Sequence, residues 1–256
     1  MNTYCYIMFF IVGTIFGSYF NLVATRIPKG LSTIAPRSHC ENCNHQLTWY
    51  ELIPIISYII QKGRCRNCQT KLSINYLMTE IATGILFLVS YHSFKFSYEL
   101  IISLTLCSTF ILIIVSDLNY LIIPDRFIVI PCIIIFVVTI LNKGILQGLI
   151  QLGYGIIGFV IMYLIMLIGN YMFKKESLGG ADIKLMFLVG LTLDPLMLVI
   201  VIFLASIIAL PVSLFLLLKN QEHIIPYGPF IMVGLLIVFF TKLNIYEIFE
   251  KTLQFF

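Results

Sequence analysis

Two aspartates and four cysteines are the residues of this chain whose types and spacing could do chemistry. Asp117 closes the apolar run LIISLTLCSTFILIIVS, and Asp182 stands between Gly179-Gly180-Ala181 and the apolar stretch IKLMFLVGL. An ionisable group at the centre of a membrane helix costs about 2.5–3.5 kcal/mol, so such a residue is read as functional by default. Two carboxylates that meet can share one proton, one serving as base towards a water while the other polarises a carbonyl. The plainer reading makes Asp117 a helix-end charge reaching water and Asp182 a helix N-cap after a glycine turn. The residues alone leave both open. Gly179 and Gly180 suit a close backbone approach or simply a flexible loop. Lys184 can pair with an acidic substrate group or a neighbouring carboxylate, or anchor a helix end. Asp125, after Pro124 and before an apolar run, reads as an N-cap and an accessory site candidate.

The cysteines form two C-x-x-C units, Cys40-Glu41-Asn42-Cys43 and Cys65-Arg66-Asn67-Cys68, separated by 21 residues. Such pairs can supply four thiolates to one tetrahedral Zn²⁺, which then stands in for a core too small to fold alone. Four thiolates close the coordination sphere, so the metal is expected to be structural. Disulfides are the alternative if the segment faces an oxidising compartment. His39 and His45 flank the first pair and are read as surface residues. Cys5, Cys107 and Cys132 lie in apolar runs and are read as small hydrophobes.

The elements that must position these groups are membrane helices. Of the 256 residues, 60% are hydrophobic and only 11% charged, against about 25% charged in an ordinary soluble domain. Apolar runs of about 20 residues mark spans, expected near 4–24, 74–93, 98–116, 127–142, 145–172, 182–194, 195–218 and 228–242. The fold class is therefore an all-α polytopic membrane protein of about eight helices, with a small cysteine-bearing, zinc-ribbon-like insertion between the first two. Its expected divisions are a first span at 1–24, the polar segment at 25–73 and a transmembrane core at 74–256. The first cation, Arg26, follows the first run, which predicts an uncleaved span with its N-terminus outside. The tail 244–256 reads as amphipathic and surface-lying.

Counting crossings places segment 25–73, Asp117, Asp182 and the loop 219–227 on one side. Twelve of the 16 Lys and Arg fall there, including Arg26, Lys29, Arg37, Lys62, Arg126, Lys175, Lys184 and Lys219. Lys95, Lys143, Lys242 and Lys251 fall on the other. By the positive-inside rule the rich side is cytoplasmic, which puts both aspartates at the cytoplasmic edge of the bundle.

Five motifs in this order resemble those of the bacterial type IV prepilin leader peptidases, a branch of the intramembrane aspartic proteases. They are Gly17-Ser18-Tyr19-Phe20-Asn21 with Arg26-Ile27-Pro28; the cysteine segment from Pro36 to Cys68; Ser116-Asp117 with Pro124-Asp125; Gly179-Gly180-Ala181-Asp182-Ile183-Lys184; and Pro226-Tyr227-Gly228-Pro229-Phe230. Ala181 stands where the strict G-x-G-D form has its second glycine.

The resemblance implies an aspartic endopeptidase of the cell membrane with Asp117 and Asp182 as catalytic pair. It would cut the basic leader of prepilins and pseudopilins after a glycine, in pilus assembly, protein secretion or DNA uptake. It also implies a second activity, N-methylation of the new terminus with S-adenosylmethionine, associated with the cysteine segment. Glu80 is the candidate for that activity, and a carboxylate buried against basic loop residues is its plainer reading. The partners implied are prepilin precursors and the lipid bilayer, with no nucleic acid. Two other classes compete. In a transporter or channel the aspartates would be ion or proton ligands, expected near the midplane of symmetrical halves. In a membrane-anchored zinc-ribbon binding protein the spans would be inert.

Overall fold

The computed structural model describes residues 2–174, 178–218 and 226–242. Nine α-helices are found there: α1 (Asn2–Arg26), α2 (Ile56–Ile60), α3 (Ile74–Phe94), α4 (Tyr98–Tyr120), α5 (Arg126–Lys143), α6 (Ile145–Phe173), α7 (Gly180–Thr192), α8 (Pro195–Leu218) and α9 (Gly228–Thr241). Among the described residues β-pairing is limited to two isolated antiparallel bridges, both in the cysteine segment. Lys175, Lys219, Lys251 and the tail 244–256, all used in the sequence reading, lie outside the described residues.

The local reasons for these helices are mostly what a lipid environment dictates, since backbone groups in hydrocarbon must be satisfied within the segment. Ser73 starts α3 by accepting the Asn75 N–H at 3.2 Å. Tight αL or glycine turns end helices where antiparallel neighbours follow at once: Leu121 (φ 54°) after α4 and Gly144 (φ 88°) between α5 and α6.

Eight of the helices match the eight expected spans, but only six are long and apolar enough to cross a bilayer. With 13 and 14 residues, α7 and α9 are each about 20 Å long against a hydrocarbon core of about 30 Å. Of the about eight expected spans, six among the described residues are therefore supported by length, and the other two are short helices, as their expected ranges already were. Packing gives the reason. Helix α7 carries buried Ile183, Leu185, Met186, Leu188, Val189 and Leu191 and touches α5, α6, α8 and α9. Glycines make the α6–α7 approach close: Gly158 lies against the Met186 backbone and Gly190 against that of Tyr154. Enclosed by protein, a short helix need not match the bilayer.

The two ends of the bundle are identifiable from side-chain contacts. At one end Lys29 lies over the Tyr120 ring at 5.3 Å, and Lys184 pairs with Asp125 at 2.6 Å. At the other, Lys95 donates to the Tyr6 hydroxyl at 2.7 Å, and Lys242 meets Glu99 at 2.8 Å. The first end carries the cysteine segment and both aspartates.

Candidate active site and metal centre

Asp117 is not the helix-end charge reaching water of the plainer reading. α4 continues to Tyr120, and the Leu121 N–H closes on the Asp117 carbonyl at 2.9 Å. The carboxylate therefore projects from the last turn and is only 6% exposed. The Ser116 hydroxyl beside it donates to the Ile122 carbonyl, folding residues 121–125 back over the end of α4.

Asp182 is not an N-cap either. Gly179 holds that position, and Asp182 is the third residue of α7, 8% exposed. Its N–H donates to the Gly179 carbonyl at 3.1 Å. A Cβ on Gly179 would stand 3.4 Å from Asp182 Oδ2, whereas one on Gly180 would meet open space. Of the two glycines, Gly179 is the one beside the carboxylate.

The two carboxylates feel each other's charge, and Tyr227 feels that of Asp182. Helix α9 completes the enclosure. A Cβ on Gly228 would lie 3.3 Å from Asp117 Oδ2, 3.3 Å from Leu185 Cδ1 and 2.6 Å from Ile123 Cδ1. Tyr227, just before it, is held by the Ser206 hydroxyl at 3.0 Å. Neither Tyr227 nor Gly228 was among the site residues expected from sequence. The signal was present in the punctuation Pro226-Tyr227-Gly228-Pro229, where a glycine between two prolines opens a helix and removes a side chain.

Asp125 occupies the N-cap position of α5 without capping it. Its carboxylate takes Lys184 instead, at 2.6 Å, with the two side chains 65% and 49% exposed. Of the three roles open to Lys184, pairing with a neighbouring carboxylate is the one observed. Beside this pair an apolar groove of about 330 Å³ runs between α5, α6 and α7, lined by Ile128, Val129, Cys132, Ile133, Phe159 and Phe187.

The four cysteines of the two C-x-x-C units converge, with all sulfurs within 4.8 Å of one another. Cys40 and Cys68 sulfurs are 3.7 Å apart, and Cys43 and Cys65 sulfurs 3.9 Å. A tetrahedron with Zn–S bonds of about 2.3 Å has edges of about 3.8 Å, so the donor set fits zinc. The two units are local repeats of one turn. In each, the first cysteine N–H bonds a carbonyl five residues on (His45, Thr70), and the residue after the second cysteine is left-handed (Asn44, Gln69). Each turn is closed by a bridge, His39 with Gln46 and Arg64 with Lys71.

Glu51 braces the first knuckle. Buried to 6% exposure, it accepts from the Thr48 N–H at 2.9 Å and hydroxyl at 2.7 Å, and lies 3.2 Å from His45 Nε2. Burial works to raise its pKa, but these hydrogen bonds outweigh it and hold the carboxyl below its ordinary value. His45 is thus a brace, and the metal set needs no histidine.

Glu80 is buried in α3 and accepts the Ile55 N–H at 2.7 Å, with the Ser18 hydroxyl facing it as well. It fastens the cysteine segment to the bundle, while the plainer expectation of basic loop neighbours is not what holds it.

Residues 11–94 match the model of the bacterial peptidase A24 N-terminal domain, and residues 104–214 that of the type IV leader peptidase family. The chain is 33% identical over 236 residues to a prepilin leader peptidase/N-methyltransferase of Bacillus subtilis, covering 90% of this chain and 92% of that protein. It is 31% identical over 214 residues to the protein of that name from Myxococcus xanthus, covering 84% and 64%. With the Vibrio cholerae protein the identity is 27% over 247 residues, covering 92% and 96%. No solved structure matches the chain.

Proposed function

Because the chain belongs to the type IV leader peptidase family, we propose that it removes the basic leader of type IV prepilins or pseudopilins by a two-aspartate mechanism. What supports this reading is that Asp117 and Asp182, both buried, lie at one end of the bundle within reach of each other's charge. One aspartate takes a proton from a water as that water attacks the scissile carbonyl carbon. The other, protonated, donates a hydrogen bond to the carbonyl oxygen. As the C–N bond breaks, a proton passes from the dyad to the leaving amine and the pair regains its shared proton.

The surroundings support an extended substrate reaching the dyad. Gly228 leaves room where a Cβ would press on Asp117 and Ile123, and the apolar groove beside Asp125 and Lys184 suits part of an incoming helix. A prepilin is itself a membrane helix with its leader junction at the bilayer edge, so enzyme and substrate share one depth and the search is confined to a plane. The cations at the same end, Arg26, Lys29, Arg126 and Lys184 among the described residues, favour a cytoplasmic orientation for that end.

Zinc in the Cys40, Cys43, Cys65 and Cys68 set would tie the two knuckles together. N-methylation of the new terminus is proposed from the names of the relatives and from the match of residues 11–94 to the A24 N-terminal domain. Glu80, the residue expected to serve S-adenosylmethionine, has its carboxylate engaged by Ile55, so no step through that cofactor is derived.

The test is reconstitution with a prepilin followed by mass spectrometry of its N-terminus. Leader loss reports cleavage, and a product one methylene heavier reports methylation. Intact processing by an Asp182→Asn variant sinks the mechanism.

A further inference from the structure

The cysteine segment carries a face that neither the metal centre nor the proposed dyad explains. Ile56, Ile59 and Ile60 of α2 are 55%, 63% and 65% exposed, and Trp49 is 74% exposed. Spacing of three and four residues puts the isoleucines on one side of the turn. The other side is turned inward, with the Tyr58 hydroxyl bonded to the Leu72 carbonyl at 3.4 Å. The 3-10 turn that carries Trp49 (Trp49–Leu52) packs against α2. Cations surround this apolar face: Lys62 and Arg64 follow α2, and Arg66 stacks over the Tyr50 ring at 4.9 Å, which in turn meets Trp49 edge-on at 5.7 Å.

Depth decides what such a face meets. Ile55, immediately before α2, donates its N–H to Glu80, and Glu80 lies six residues into α3, about 9 Å inside the start of that helix. At 21 residues, α3 is about 31 Å long, close to the hydrocarbon thickness of about 30 Å. A backbone bond at Glu80 therefore draws α2 down to the edge of the hydrocarbon. Holding it there also requires a left-handed backbone at Ile55 (φ 62°), a costly conformation for a β-branched residue.

We propose that the Trp49–Leu52 turn and α2 form an interfacial anchor. It inserts Trp49, Ile56, Ile59 and Ile60 into the bilayer surface, with Lys62, Arg64 and Arg66 on anionic lipid headgroups. Tryptophan and tyrosine favour this zone, and long basic side chains reach from it to the phosphates. The metal knuckles would then be fastened to the bundle twice, through Glu80 and through the lipid. The inference rests on the bundle's membrane placement and not on the aspartate mechanism.

Trp49 is the only tryptophan of the chain, so its fluorescence reports this site without any substitution. The full chain with its metal is placed in bilayers containing phosphatidylglycerol and lipids brominated at shallow or deep acyl positions. Expected are blue emission, strongest quenching by the shallow bromines and little quenching by aqueous iodide. The Ile59→Asp, Ile60→Asp double variant should restore iodide quenching severalfold while keeping its metal content. Red emission freely quenched by iodide and untouched by bromolipid overturns the proposal. So does protection from iodide that arises only on adding a prepilin, which would make the face a protein-docking site. Equal quenching in phosphatidylcholine bilayers overturns the role given to the cations.

Discussion

Gly228→Ala tests the enclosure of the dyad at its tightest point. The new methyl group would stand 2.6 Å from Ile123 Cδ1 and 3.3 Å from Asp117 Oδ2. Carbon pairs settle at about 3.5–4.0 Å, so Ile123 must retreat by about 1 Å. Overpacking of this kind costs about 1–3 kcal/mol, offset by up to about 1 kcal/mol for alanine over glycine in a helix. A net loss of about 0–3 kcal/mol leaves the protein folded. Catalysis should suffer more, because a misplacement of about 1 Å costs on the order of 100-fold. A rate loss of about 10- to 100-fold corresponds to about 1.4–2.8 kcal/mol of barrier. The assay is single-turnover prepilin cleavage in proteoliposomes, with thermal unfolding alongside. Gly234→Ala, in the same helix as Gly228 and about 9 Å further along, is the control, since its methyl would press on the Val201 carbonyl of α8 at 3.0 Å. Wild-type cleavage by Gly228→Ala, or an equal loss in Gly234→Ala, would refute the assignment of Gly228 to the site.

Asp117→Asn and Asp182→Asn should each stop leader removal while leaving the unfolding transition in place, read by product mass and thermal scans. Chelation or Cys68→Ser should strip the metal, open residues 38–72 to protease and abolish methylation while cleavage continues, since the knuckles lie outside the dyad. Lys184→Gln should change stability by less than about 1 kcal/mol, because its partner Asp125 is exposed and screened; a larger change in thermal unfolding would mean that the pair is structural. Glu51 has its folded pKa depressed below the ordinary 4.5. Its contribution is present above that ordinary value and lost as pH falls through the lower folded one. Trp49 emission followed in acid should therefore show the knuckles loosening in that window, and Glu51→Gln should remove the acid-dependent step.

Much of this molecule is legible without tertiary structure. Apolar run length located eight helices, because in lipid each segment must satisfy its own backbone. The spacing of Cys40, Cys43, Cys65 and Cys68 announced a four-sulfur centre, because a two-residue gap turns both sulfurs of a knuckle the same way. Crossing parity put Asp117 and Asp182 at one end. Local pattern was less reliable at the helix ends. It stopped α4 at Ser116 and left an N-cap role open for Asp182, whereas the helix continues about one turn past Asp117, Gly179 holds the N-cap position of α7, and Asp125 holds that of α5 without a side-chain cap bond.

What only the tertiary structure decided is which groups touch. The shortness of α7 and α9 becomes intelligible once glycines such as Gly158 and Gly190 let α7 sink into protein rather than lipid. Asp117 and Asp182 come near each other because α5 and α9 each pack on both α4 and α7, and the N-terminus of α9 enters beside the carboxylates. Lys184 finds Asp125, and Glu80 finds the Ile55 amide, through the same packing. Composition and periodicity report what a segment needs from its solvent. Contacts across helices depend on crossing angles and on small residues at the crossings, and no single segment carries that information.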